Sequence, residues 1–130
     1  MALHNQLLVN GKARNPMVGE EETIDWMKSL VEQIDMNIIQ GPYASYVTKG
    51  GNRGVTCVVM IETSHIALHV WDETDPSLIQ FDLYTCSTLP VDDVLKNLEE
   101  TFDLEEYHYM VIERAEQFNL QAHAHKVLVD

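Results

Sequence analysis

Basic residues are scarce in this chain: eight lysines and arginines stand against 21 aspartates and glutamates, a formal charge of −13. A field of that sign repels phosphate backbones, so nucleic acid is excluded as the expected partner. Long apolar runs are also missing. The longest, Val55 to Ile61, is strand-sized and includes Thr56, whereas a spanning helix needs roughly 18–20 residues, so no membrane association is expected. Cysteine is limited to Cys57 and Cys86, and the opening MALHNQLLVNGKARN has neither the charged start nor the apolar core of a signal peptide. The expectation is a soluble, reduced, cytoplasmic protein. No linker, repeat or low-complexity segment interrupts residues 1–130, and 45% hydrophobic content suits a single domain whose core needs no disulfide or structural metal. The acidic surface would favour a cationic small molecule, although solubility alone also accounts for it.

Along the chain, His4 to Val9 reads as a strand, followed by turn signals at Asn10-Gly11 and Asn15-Pro16. From Glu20 to Met36, Ile24, Met27, Val31 and Ile34 recur at three- and four-residue steps, with Trp26 and Leu30 widening the stripe of an amphipathic helix. Its acidic start suits the positive end of the helix dipole. A short strand is expected over Ala44–Thr48, then a glycine-rich loop, Lys49–Gly54, able to lie close to a ligand. Three strand candidates follow: Val55–Glu62, His65–Trp71 and Leu78–Thr85. The first two are separated only by Thr63-Ser64. A second helix begins at Leu89-Pro90 and runs to about Phe102, a strand covers Glu106–Glu113, and the His-Ala-His tail reads as a solvated end. This order predicts an α+β fold: a two-layer sandwich with a mainly antiparallel sheet and helices packed on one face.

The chemistry-bearing residues are concentrated between Gly54 and Cys86. They read Gly54-Val55-Thr56, then Ser64-His65 with His69, Trp71 and Glu73, then Asp82-Leu83-Tyr84-Thr85-Cys86. This set resembles the short prokaryotic S-adenosylmethionine decarboxylases, whose motifs are a G-V-[ST] strand, S-H-x-x-x-H-x-W-x-E and D-[LVI]-[FY]-T-C. The chain length and flanking helices agree with the short form of that family.

The resemblance implies a self-processing, pyruvoyl-dependent decarboxylase that converts S-adenosylmethionine to its decarboxylated form for spermidine and other polyamine synthesis. Decarboxylating an amino acid leaves electrons on the α-carbon that no ordinary side chain accepts, so a carbonyl electron sink is required. By resemblance the zymogen would cleave autocatalytically between Thr63 and Ser64 into a 1–63 β chain and a 64–130 α chain. Ser64 would become the pyruvoyl group that holds the substrate as a Schiff base; no metal is implied. His69 would act in processing, assisted by the Thr56 hydroxyl, and Cys86 would protonate the substrate carbon after carbon dioxide leaves. Glu73 resembles the ribose-binding acid, and His65 is a further substrate-binding candidate. The partners implied are a small-molecule substrate and a second copy in a homodimer, with each active site near the interface.

Taken singly, each residue also has a plain reading: Ser64 as a hairpin serine, His65 and His69 as a polar strand face, Cys86 as a small buried hydrophobe. A metal site of His65, His69, Cys86, His123 or His125 is disfavoured, because histidines four apart on a strand lie about 13 Å apart. The sequence departs from the family at three points, one of them a segment between His69 and Cys86 about two residues longer than usual. Thr63 stands where glutamate normally precedes the reactive serine, and Asp72 replaces proline in W-P-E. A β-branched residue restricts approach at the carbonyl to be attacked. Two alternatives follow: a diverged homologue that decarboxylates ornithine or arginine, and an unprocessed, inactive homologue that binds or regulates a partner.

Overall fold

The computed structural model describes residues 3–129. Seven strands and two helices alternate as β1 (Asn5–Ala13), α1 (Glu20–Gln33), β2 (Ile38–Val47), β3 (Gly54–Ile61), β4 (Ser64–Trp71), β5 (Ser77–Thr85), α2 (Val91–Phe102), β6 (Leu104–Glu113) and β7 (Asn119–Val127). The strands form one sheet in the order β2-β3-β4-β5-β1-β6-β7, and every neighbouring pair is antiparallel. Both helices pack on one face, giving the expected two-layer α+β sandwich.

Side-chain alternation sets which face is which. Val55, Cys57, Val59 and Ile61 of β3, Ile66, Leu68 and Val70 of β4, and Ile79, Phe81 and Leu83 of β5 are buried with the helical stripe Met27, Leu30, Leu98 and Phe102. Trp26 locks the two helices together, edge-on to Phe81 and Phe102, with its indole N–H donating to Asn97 at 2.8 Å. Each such apolar side chain contributes roughly 1.5–3 kcal/mol on burial. The opposite face carries Thr56, His65, His69, Gln80, Asp82 and His108, and among the described residues no helix covers it.

Besides the short strand expected over Ala44–Thr48, which is part of the ten-residue β2 (Ile38–Val47), three expectations change. Asn10-Gly11 is not a turn but the middle of β1, because Gly11 lies under β6: a Cβ there would meet Leu104 at 3.1 Å and Tyr107 at 3.3 Å. Helix α1 ends at Gln33 rather than Met36, since Asp35 adopts a left-handed φ of 57° that an α-helix does not continue through. The tail is a strand, β7, although all nine of its residues are exposed. Cross-strand pairing with β6 decides this, and a sequence without a buried face gives little sign of it.

Candidate active site

Strands β3 and β4 are joined by the two residues Glu62 and Thr63, with Ile61 paired to Ser64. So short a connection forces unusual backbone angles next to it. Ser64 carries them, with φ of 147°, a region that is essentially reserved for glycine and that stores strain in any other residue. The turn is pinned on both sides: the Glu62 amide donates to the Asn37 carbonyl at 2.9 Å, and the Cys86 amide donates to the Thr63 carbonyl at 3.0 Å. The second bond links the carbonyl before Ser64 to the end of β5, where Thr85 pairs with Ser64. Thr85 Oγ1 accepts the Ser87 amide at 3.0 Å and fixes the turn that carries Cys86.

Cys86 is exposed and Cys57 is buried, so the reading of a small buried hydrophobe belongs to Cys57. Burial pushes the Cys57 thiol up to about 11, against a weaker contact with the Thr23 carbonyl, which makes it an inert packing group. Cys86 opens instead onto a groove of about 800 Å³ lined by Leu3, Asn5, Leu89, Val111 and Glu113.

His69 and Thr56 face each other across β4 and β3, and their Nδ1 and Oγ1 atoms are 2.9 Å apart. The imidazole stacks on Trp71 at 5.2 Å. The expected pair is therefore assembled, yet not beside Ser64. His69 is five residues along the strand from Ser64, which is about 16 Å at 3.3 Å per residue, and the odd step puts them on different faces. His65 lies closer to the hairpin on the open face, 3.6 Å from Asp82 and tilted against Tyr84.

Glu73 lies at the far end of β4. Its carboxylate accepts the Arg53 amide at 2.9 Å, and the amides of Arg53 and then Gly51 hold it below the usual carboxylate range. Asp72 accepts from Arg53 Nε at 2.8 Å and from the Tyr46 hydroxyl at 2.7 Å. Burial would raise its pKa, but these donors outweigh it and the net shift is downward. The glycine-rich loop Lys49–Gly54 is thus tethered at Arg53 by two carboxylates. Gly54, which closes it, has φ of 151°, and a Cβ there would collide with the Val70 carbonyl.

Sequence reasoning missed one group near the hairpin. Arg114 lies over Tyr84, 4.7 Å from the ring centroid, and donates to Gln6 at 2.9 Å, which donates in turn to Asp82 at 2.7 Å. Only the register of β1, β5 and β6 brings these three together, and no spacing in the chain announces it. Among the described residues no group of three or more His, Cys, Asp or Glu side chains is arranged to hold a metal ion.

This sandwich, with its serine hairpin and adjoining cysteine, defines a class of carboxy-lyase proenzymes. The chain belongs to the S-adenosylmethionine decarboxylase family, whose model matches residues 7–115. It is 28% identical over 102 residues to the S-adenosylmethionine decarboxylase proenzyme of Archaeoglobus fulgidus, covering 78% of this chain and 87% of that protein. A shorter match, 43% identical over 42 residues, is to the arginine decarboxylase proenzyme of Aeropyrum pernix and covers 32% of this chain and 30% of that one.

Proposed function

We propose that this proenzyme cleaves itself between Thr63 and Ser64 and, once processed, decarboxylates S-adenosylmethionine. The observation that carries the reading is the Cys86 amide on the Thr63 carbonyl, next to a serine held at φ of 147°. A donor fixed on that oxygen stabilises the negative charge that develops when Ser64 Oγ attacks the carbonyl carbon. Collapse breaks the Thr63–Ser64 C–N bond and leaves an ester and a free Ser64 amine. Removal of the Ser64 α-proton then expels the Thr63 carboxylate, and water replaces the nitrogen, which leaves as ammonia. The strain at Ser64 is released by the break, and Thr63 is compatible with it because its side chain turns away toward Met36.

The pyruvoyl group so formed supplies the electron sink that decarboxylation requires. The residues present fit it: Cys86 is exposed beside the hairpin and borders the groove in which a substrate has room. Its thiol would return a proton to the substrate carbon. Glu73, ionised and acceptor-only, suits a sugar diol, but it lies farther from Ser64 than His69 does and so would serve a site only from a second copy, whereas His65 is the nearest open-face side chain to the new terminus.

His69 and Thr56, about 16 Å from Ser64 along one strand, act on it only if a second copy supplies them. This supports a homodimer built on the uncovered sheet face, where Val58, Met60, Leu78 and Met110 are exposed around a cavity of about 420 Å³ that His69 and Asp82 line. Each site then takes the hairpin from one chain and the His69–Thr56 pair from the other.

Intact mass of freshly purified protein tests processing, with fragments 1–63 and 64–130 expected. Carbon dioxide release from S-adenosylmethionine, arginine and ornithine tests the substrate. The local similarity to an arginine decarboxylase proenzyme favours arginine as the second reading. An uncleaved chain that releases nothing from any of the three is instead the inactive, partner-binding homologue.

A further inference from the structure

The two edges of the sheet are treated differently. Along β2, Pro42 lacks an amide, the pairing with β3 shifts register twice, and the Tyr46 amide is capped by the Glu20 carboxylate at 2.8 Å. These are devices that stop an edge from pairing with another strand. Along β7 the pairing with β6 shifts register once, between Val111 and Ile112, but among the described residues no carboxylate caps an amide of the strand. All nine residues are exposed, there is no proline, and no acidic residue occurs from Gln117 to Val129 in a chain of charge −13. The one charged side chain, Lys126, is drawn off to Glu99 at 3.0 Å.

We propose that the outer edge of β7 pairs antiparallel with the same edge of a second copy, continuing the sheet across a two-fold axis. Two observations select this partner. Beyond its ladder with β6, β7 holds its own protomer only through exposed contacts, His125 with Glu106 at 2.9 Å and stacked on His108, and Lys126 with Glu99 at 3.0 Å; exposed pairs of this kind are worth little, and an outer strand is marginal on those terms. Charge selects the copy: two molecules of this acidity repel almost everywhere, but β7 against β7 brings together alanine, histidine and glutamine with no carboxylate opposed to another. Leu120 and Val127, both exposed, would come under cover at the ends of the new pair. This edge is distinct from the open face used in the proposed active site, so the two contacts together make a tetramer.

The test is light scattering and amide hydrogen exchange on the full-length protein over a concentration series, with His123→Glu/His125→Glu as the variant. For an axis at residue 123, 124 or 125, the paired glutamates fall directly opposite each other, and like charges so placed weaken pairing. His125 also pairs with Glu106 of its own protomer at 2.9 Å, so the variant carries Glu106→Gln as well and is compared with Glu106→Gln alone; both β7 positions are exposed, and the fold and the decarboxylation rate per site should be unchanged. The variant mass should be half that of Glu106→Gln and of wild type at matched concentration. The β7 amides that do not serve β6 should be protected in wild type, lose protection on dilution and be open in the variant. Equal masses, or outward amides that exchange freely at the highest concentration, overturn the proposal. Loss of activity without a change of mass counts against the function proposed above and leaves the measurement on β7 intact.

Discussion

The backbone amide of Cys86 donates to the carbonyl oxygen of Thr63 at 3.0 Å, so one residue reaches the hairpin twice, through its amide and through its exposed thiol. The two groups separate by substitution. Cys86→Ala keeps the amide and should still cleave at a rate close to wild type, while turnover falls about 10²–10⁴-fold with loss of the proton donor. Cys86→Pro removes the amide and should slow cleavage about 10²–10³-fold, as when one donor to a developing oxyanion is deleted. Equal effects of both on cleavage, followed by intact mass against time, would remove the amide from its role.

Ser64→Ala should give one uncleaved chain with no measurable decarboxylation. Because alanine also has to adopt φ of 147°, its thermal stability checks whether strain resides in the backbone. Ser64→Gly should be the more stable of the two by about 1–3 kcal/mol, the usual cost of a non-glycine residue in such a region.

Mixing two inactive proteins addresses the shared site. His69→Ala and Ser64→Ala should each remain uncleaved alone, yet after co-refolding the His69→Ala chain should be cut, using the His69 of its neighbour. Fragments from that chain, distinguished by isotopic label, are the expected product. No cleavage in the mixture, with mixed dimers present, would mean that one chain contains all that processing needs.

The Asp72 pair predicts an acid limit to stability. The Asp72 pKa is lowered from 3.8: burial pushes it up, but Arg53 and Tyr46 pull it further down. The folded state therefore binds fewer protons than the unfolded one near that pH. The contribution is complete above the unfolded pKa and is lost as pH falls through the folded value, below pH about 4. Asp72→Asn should flatten the urea midpoint against pH in that window relative to wild type.

Gly54→Ala should destabilise the protein by about 3 kcal/mol, since the added carbon strikes the Val70 carbonyl and β3 must shift to admit it. Gly50 and Gly51 are open on all sides. Of these two, Gly50→Ala is the clean control, and it should leave the melting temperature nearly unchanged.

The amphipathic helices, the three central strands and the Ser64, His69 and Cys86 motifs were legible in the amino-acid sequence, because local periodicity and motif spacing are properties of neighbouring residues. The sequence also carried the sign of the surface charge and hence the exclusion of phosphate backbones. It misread Gly11 as a turn and β7 as a loose end, since a glycine under a tyrosine and a strand without a buried face acquire their meaning only from the neighbouring strand. Tertiary structure alone decided three further matters. It put φ of 147° on Ser64, brought Cys86 to the Thr63 carbonyl, and set the Thr56 hydroxyl 2.9 Å from His69 Nδ1 on the neighbouring strand. Those are relations across a sheet register, and residue order contains no distance between strands.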